Sequence, residues 1–171
     1  MNKLLLFTDV SVNPKKNIGV GAYYLANNSI MELLPEDINK DNILRAIQYF
    51  EFEDTSSTKL EVQIAITALS EISKSIKNLE TYQVKLITDS QCVAELLDRR
   101  KKLQDKDFIS SATNLPHQHT ELYKEFYQLH DTIKFEVEKI AGHSKTENKD
   151  TLDIVFSVID RSVRAKLRDD Y

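Results

Sequence analysis

Residues 84–93 read VKLITDSQCV, and this stretch decides the fold. Its first five residues are mostly apolar or β-branched and predict a buried strand, while residues 91–100 look helical. Asp89 falls between the two elements. Ligands of open α/β sheets bind beyond the strand ends, so Asp89 is a candidate site residue. It is equally a candidate N-cap of the following helix, and the local pattern favours neither interpretation.

The rest of the chain supplies further strands and helices. Residues 4–8 and 18–25 predict two strands joined by a turn at 13–17, and residues 135–141 predict the last strand. A third strand is split between residues 30–34 and 48–53, with a short helical insertion predicted at 35–47. Helices are predicted over residues 59–76, 91–100, 120–130 and 151–167. This order predicts an α/β fold in one domain, residues 1–171, with a five-stranded mixed sheet and helices on both faces.

Composition limits the classes of function. The chain has 171 residues, of which 41% are hydrophobic and 29% charged, as expected of one globular domain. A single cysteine, Cys92, excludes an internal disulfide and a cysteine-rich zinc site. No apolar run approaches the roughly 20 residues of a membrane span, so we expect a cytoplasmic protein with no membrane partner. Three glycines argue against a glycine-rich phosphate loop.

The formal net charge of −4 argues, by itself, against a basic nucleic-acid binder. Acids gathered around metal ions would make this sum a poor guide to the local potential, so the distribution of charge matters more.

Two acids other than Asp89 follow the same logic. Asp9 ends the first predicted strand, where it is either a site residue or a turn-forming acid. Glu61 closes a possible capping box, residues 58–61. Helical spacing nevertheless aligns Glu61 with Ala65, Ala68 and Ile72, so its carboxylate should be partly buried. Since a buried carboxylate needs a cation or hydrogen-bond donors, this position favours a functional role.

A further acid, Asp153, lies in the first turn of the last predicted helix. The helix dipole alone explains an acid there, and Asp150 competes for the same role.

Together these segments resemble the cellular ribonuclease H family over nearly the whole chain. The resemblance rests on residues 7–11 (FTDVS), Glu61 with the small and apolar residues after it, residues 88–93 (TDSQCV), and Gly142-His143 with Asn148 and Asp153. Val10 departs from the family's glycine, and residues 56–58 (SST) replace an asparagine-rich stretch. The insertion at 35–47 lies outside the resemblance.

The resemblance implies a nuclease that cuts the RNA strand of an RNA–DNA hybrid. Asp9, Glu61, Asp89 and Asp153 would hold two Mg²⁺ ions, with Mn²⁺ as a substitute, because hard cations prefer oxygen ligands. We expect Asp9 to bridge the ions, Glu61 and Asp89 to bind the first, and Asp153 to bind the second. The spacing from His143 selects Asp153 over Asp150, and His143 itself is expected to assist leaving-group protonation or product release.

Substrate contacts follow from the same resemblance. Candidates for hydrogen bonds to the hybrid are Asn13, Ser57, Thr58 and Gln91. Arg99, Arg100 and Lys101, with the adjacent Lys102, either hold phosphates of the DNA strand or complement a helix C-terminus. His117 and His119 are interpreted as surface residues. We expect a monomer that acts on the hybrid. Another nuclease of the same fold, such as a resolvase or exonuclease, and a catalytically silent binding module are the alternatives.

Overall fold

The structure, a computed structural model, describes residues 1–141 and 150–171. Its strands are β1 Asn2–Asn13, β2 Ile18–Asn27, β3 Gln48–Glu53, β4 Tyr82–Thr88 and β5 Glu136–Lys139. Its helices are α1 Lys40–Ala46, α2 Ser57–Ser75, α3 Gln91–Asp105, α4 Thr120–Ile133 and α5 Thr151–Asp170. Short 3₁₀ helices span Asn28–Glu32, Pro35–Asp37 and Leu79–Thr81.

The five strands form one mixed sheet in the order β3-β2-β1-β4-β5. β1 pairs antiparallel with β2 and β2 with β3, whereas β4 runs parallel to β1 and β5 parallel to β4. The predicted α/β class and mixed sheet are confirmed.

The central strand β1 divides the core into two layers, because successive side chains of a strand point to opposite faces. Leu4 and Leu6 join the cluster built with α2, α3 and α4, while Leu5 and Phe7 join the cluster built with α5 and α1. Asp9 has the same parity as Leu5 and Phe7. Its side chain therefore belongs to the face that α5 covers.

Helix α2 packs closely on β2. It begins after Ser56, whose side chain accepts a hydrogen bond from the Lys59 amide. A Cβ atom on Gly21 would lie 2.8 Å from Ile64, so only glycine permits this approach. Because the helix is capped at Ser56, Glu61 lies beyond the position that a capping box requires.

The strand predicted at residues 30–34 is wrong. Asn28–Glu32 is a 3₁₀ helix, capped by the Asn27 side chain, which accepts from the Ser29 amide at 3.2 Å. Leu33 and Leu34 are exposed. An apolar run becomes a strand only where a neighbour can pair with it, and β3 already occupies the edge beside β2. The predicted helical insertion contains α1, which buries Ile43.

Helix α5 runs along the sheet in the direction of β1. At its start, the Thr151 hydroxyl donates to the Leu33 carbonyl at 3.0 Å, near the end where β2 finishes and β1 begins. At its end, Lys16 in the β1–β2 turn donates to the Tyr171 carbonyl at 3.3 Å. No helix among the described residues is both long and apolar enough to cross a bilayer.

Candidate active site

Asp9 is a buried acid in the middle of the sheet. It is 7% exposed, and its Oδ2 atom has no hydrogen-bond partner among the described residues. Burial raises the pKa of Asp9 to about 8, and the charges of Asp89 and Asp160 add to this shift. The backbone N–H of Val10 acts in the opposite direction. A carboxyl group held in this way is well placed to receive a cation.

Asp89 follows β4, as predicted, but it is not the N-cap of α3. Ser90 takes that role, since its hydroxyl accepts from the Val93 amide at 3.2 Å. The Ser90 amide in turn donates to the Thr88 hydroxyl at 3.0 Å. The structural interpretation of Asp89 as a helix cap is therefore wrong, and its charge acts on Asp9.

Glu61 reaches the same region from α2. Its carboxylate accepts from the Ser90 hydroxyl at 2.5 Å and from the Ser57 hydroxyl at 3.4 Å. The Ser90 hydroxyl therefore links the N-cap of α3 to the N-terminal half of α2. The partly buried position predicted for Glu61 is confirmed.

The last helix presents two acids of different character. Asp153 forms a capping box with Asp150: each side chain accepts from the other residue's amide, at 3.3 and 2.9 Å respectively. Asp160 lies close enough to Asp9 to act on it, and it pairs with Arg164 at 3.2 Å. Sequence reasoning missed Asp160. A signal was available, because Asp160 follows Asp153 by seven residues and so shares its stripe of the helix.

Asp9, Glu61, Asp89 and Asp160 come from neighbouring elements, but their side chains do not converge on one point. Among residues 1–141 and 150–171, no three Asp, Glu, His or Cys side chains are arranged to hold one metal together. Glu61 is held toward Ser90. His143 lies outside the described residues.

The residues predicted to form hydrogen bonds with the substrate lie at the starts of α2 and α3 and in the β1–β2 turn. Ser57 and Thr58 are exposed in the first turn of α2, and Gln91 is exposed in the first turn of α3, where its amide donates to the Glu95 carboxylate. The Asn13 side chain accepts from the Lys16 amide at 3.3 Å in the β1–β2 turn.

The basic residues of α3 have separate environments. Arg100 forms two hydrogen bonds with Asp131, at 2.7 and 2.8 Å, and Lys101 pairs with Asp105 at 2.7 Å. Arg99 lies over the Tyr123 ring, 5.9 Å from its centroid. It also lines a groove of about 440 Å³ together with Lys102, Lys106, Ser110, Ser111 and His117.

Comparison with known proteins identifies the family. The model of the ribonuclease H family matches residues 1–154, most of the chain. The chain belongs to the ribonuclease H family. Ribonuclease H proteins are nucleases that generally use divalent metal ions such as Mg²⁺. Residues 155–171, which include Asp160, lie beyond the match. No curated protein sequence matches the chain.

Two solved structures share the ribonuclease H fold of this chain. A native prototype foamy virus protease–reverse transcriptase has a TM-score of 0.68 and 16% identity, covering 96% of this chain and 20% of that one. The chain thus spans about a fifth of that protein's length. A foamy viral protease–reverse transcriptase in complex with dsDNA has a TM-score of 0.60 and 13% identity, covering 96% of this chain and 94% of that one.

Proposed function

We propose that this protein is a cytoplasmic, monomeric endonuclease that hydrolyses the RNA strand of RNA–DNA hybrids with the help of Mg²⁺. The observation that carries the proposal is Asp9, a buried carboxylate with an unpartnered oxygen beside Asp89 and Asp160. It lies on the central strand of a ribonuclease H sheet. A structural acid at this depth would be expected to have donors for both oxygens.

The chemistry of the donor set fits a hard divalent cation. Asp9, Glu61, Asp89 and one acid of α5 offer only carboxylate oxygens, which Mg²⁺ prefers and which Mn²⁺ accepts. The sequence predicted Asp153 as the α5 acid. Two bound ions would supply an attacking hydroxide and stabilise the departing 3′ oxygen. Asp9 would help to hold both ions, because the charges of Asp89, just after β4, and of Asp160 on α5 both act on it.

Glu61 has a hydroxyl partner that keeps it near the site. Ser90 follows Asp89 directly in the chain, and its hydroxyl donates to the Glu61 carboxylate. The same hydroxyl caps α3. To bind an ion together with Asp9, the Glu61 side chain would leave Ser90 by changing its rotamer. His143 remains our candidate for moving a proton to the leaving group.

The hybrid would be held by polar and basic residues around the acids. Ser57, Thr58, Gln91 and Asn13 offer hydrogen bonds to sugar hydroxyls and phosphates, which position the substrate without reading sequence. Arg99 faces the groove with Lys102 and Lys106, where phosphates of the DNA strand would bind. Arg100 and Lys101 would contribute less, since each already has a carboxylate partner.

Cleavage of defined duplexes tests the function. The protein is incubated with an RNA–DNA hybrid, double-stranded RNA or double-stranded DNA, each labelled on one strand, in Mg²⁺ or in EDTA. We expect cutting of the RNA strand of the hybrid in Mg²⁺ alone. Cutting of DNA would instead identify another nuclease of this fold. Binding to the hybrid without cutting would identify the silent binding module.

A further inference from the structure

The acid placed against Asp9 is Asp160, in the middle of α5, and we propose that Asp160, rather than Asp153, is the α5 ligand of the metal site. The inference rests on the proposed function, because it names a residue of that same site.

Asp9 lies on the face of β1 that α5 covers. Asp9 shares its face with Leu5 and Phe7, which pack in one cluster with α5 residues Phe156, Ile159 and Val163. Asp160 follows Ile159 directly and lies at the edge of this buried stripe, with 22% of its side chain exposed. It can therefore face both Asp9 and an ion that arrives from solvent.

Helix α5 runs alongside β1. The helix starts beside Leu33, near the beginning of β1, and ends beside Lys16, just past the end of β1. Its middle therefore lies over the middle of β1. Asp160 is at the middle of the helix, whereas Asp153 is in the first turn. Seven residues correspond to about 10 Å along a helix, so Asp153 lies about two turns from Asp160.

The surroundings of Asp9 agree with this placement. Its buried Oδ2 atom is unpartnered, and the Asp160 carboxylate is close enough to raise the pKa of Asp9. Two carboxylates this close repel when both are ionised, and a shared cation would relieve the repulsion. Arg164 offsets the Asp160 charge, but its own side chain is 56% exposed and can move away.

Asp153 already has a structural role. It completes the capping box with Asp150, so its carboxylate accepts the Asp150 amide at the start of α5. The family match ends at residue 154, so sequence comparison reaches Asp153 and stops before Asp160.

Metal binding by matched variants tests the proposal. Binding of Mn²⁺ alone to the full chain is followed by electron paramagnetic resonance for the wild type, Asp160→Asn, Asp153→Asn and Arg164→Ala. We expect Asp160→Asn to weaken Mn²⁺ binding at least about tenfold, because loss of a group that only orients a ligand already costs about 10–100-fold. Asp153→Asn should keep the wild-type affinity and lower thermal stability. Arg164→Ala removes the ion pair of Asp160 and keeps its carboxylate, so it should bind Mn²⁺ at least as well as the wild type.

Every contrary outcome overturns the proposal. It fails if Asp160→Asn binds Mn²⁺ like the wild type, or if Asp153→Asn loses as much affinity as Asp160→Asn. Circular dichroism confirms that each variant is folded, and Asp160→Ser replaces Asp160→Asn if that variant is not. Hybrid cleavage by the wild type distinguishes failure of the ligand assignment from failure of the proposed nuclease function. A wild type that cuts, with an Asp160 variant that binds metal normally, refutes only the ligand assignment. A wild type that neither binds Mn²⁺ nor cuts refutes both.

Discussion

Asp9 is costly to the metal-free fold. Its oxygen is buried without a donor, and two further acids act on it. Between pH 3.8 and about 8 the folded state keeps a proton on Asp9 that the unfolded state has released. Stability therefore falls as pH rises through this range, since the folded state binds more protons there. The same burial and charge would favour a cation at this position.

Asp9→Asn is predicted to stabilise the protein in EDTA and to abolish cleavage. Because the variant has no charge to desolvate, its advantage over the wild type should be small at pH 4 and grow to on the order of 1–3 kcal/mol at pH 8. Urea unfolding at both pH values measures this. Asp98→Asn, on the exposed side of α3, is the control. A loss of stability in Asp9→Asn at pH 8 would make Asp9 a structural acid.

Ser90 both caps α3 and holds the candidate ligand Glu61. Ser90→Ala removes the cap of α3, which should cost about 1 kcal/mol. It also frees the Glu61 carboxylate. We predict that cleavage by the variant needs more Mg²⁺ for half-maximal rate, measured by Mg²⁺ titration with hybrid substrate. Ser90→Thr keeps a hydroxyl and should restore most of the Mg²⁺ response. If Ser90→Ala only lowered stability, Ser90 would be a cap and nothing more.

At the scale of elements, α3 carries neighbouring basic residues with different tasks. Lys102→Ala should weaken hybrid binding and reduce the salt dependence of binding, because a groove-lining cation would be lost. Arg100→Ala should lower the melting temperature by a few degrees and leave hybrid affinity nearly unchanged, since Arg100 is bound to Asp131. Fluorescence anisotropy at several salt concentrations compares the two. Equal losses of affinity would contradict the division of roles.

The elements also show what the sequence could predict. Helices such as α2 were recognisable because their apolar residues recur at helical spacing. The strand predicted at residues 30–34 was wrong, since an apolar run carries no information about whether a partner strand exists. Asp89 and Glu61 were predicted from their places after a strand and on a buried stripe, and Ser90, the residue after Asp89, contacts Glu61 in the structure. Asp160 could not be ranked above Asp153, because the relevant fact is how α5 lies across β1.

At the scale of the whole molecule, the candidate metal ligands come from both faces of the sheet. Asp9 faces α5, whereas Glu61 comes from α2, which packs on the opposite face, and Asp89 extends from β4. The two hydrophobic layers are otherwise separated by β1. A metal bound by these acids would connect both layers, so its effect on stability should involve the whole fold.

Mg²⁺ is therefore predicted to raise the melting temperature of the entire domain in one transition. A ligand that binds only the folded state, at about a hundred times its Kd, stabilises this size of domain by about 5–10 °C. The increase should be larger at pH 8 than at pH 6, because a cation must displace the proton that Asp9 holds when its pKa is about 8. Differential scanning calorimetry with Mg²⁺ or EDTA measures both effects. Asp9→Asn should show little Mg²⁺ response at either pH, and an equal response of the wild type at both would exclude Asp9 as a ligand.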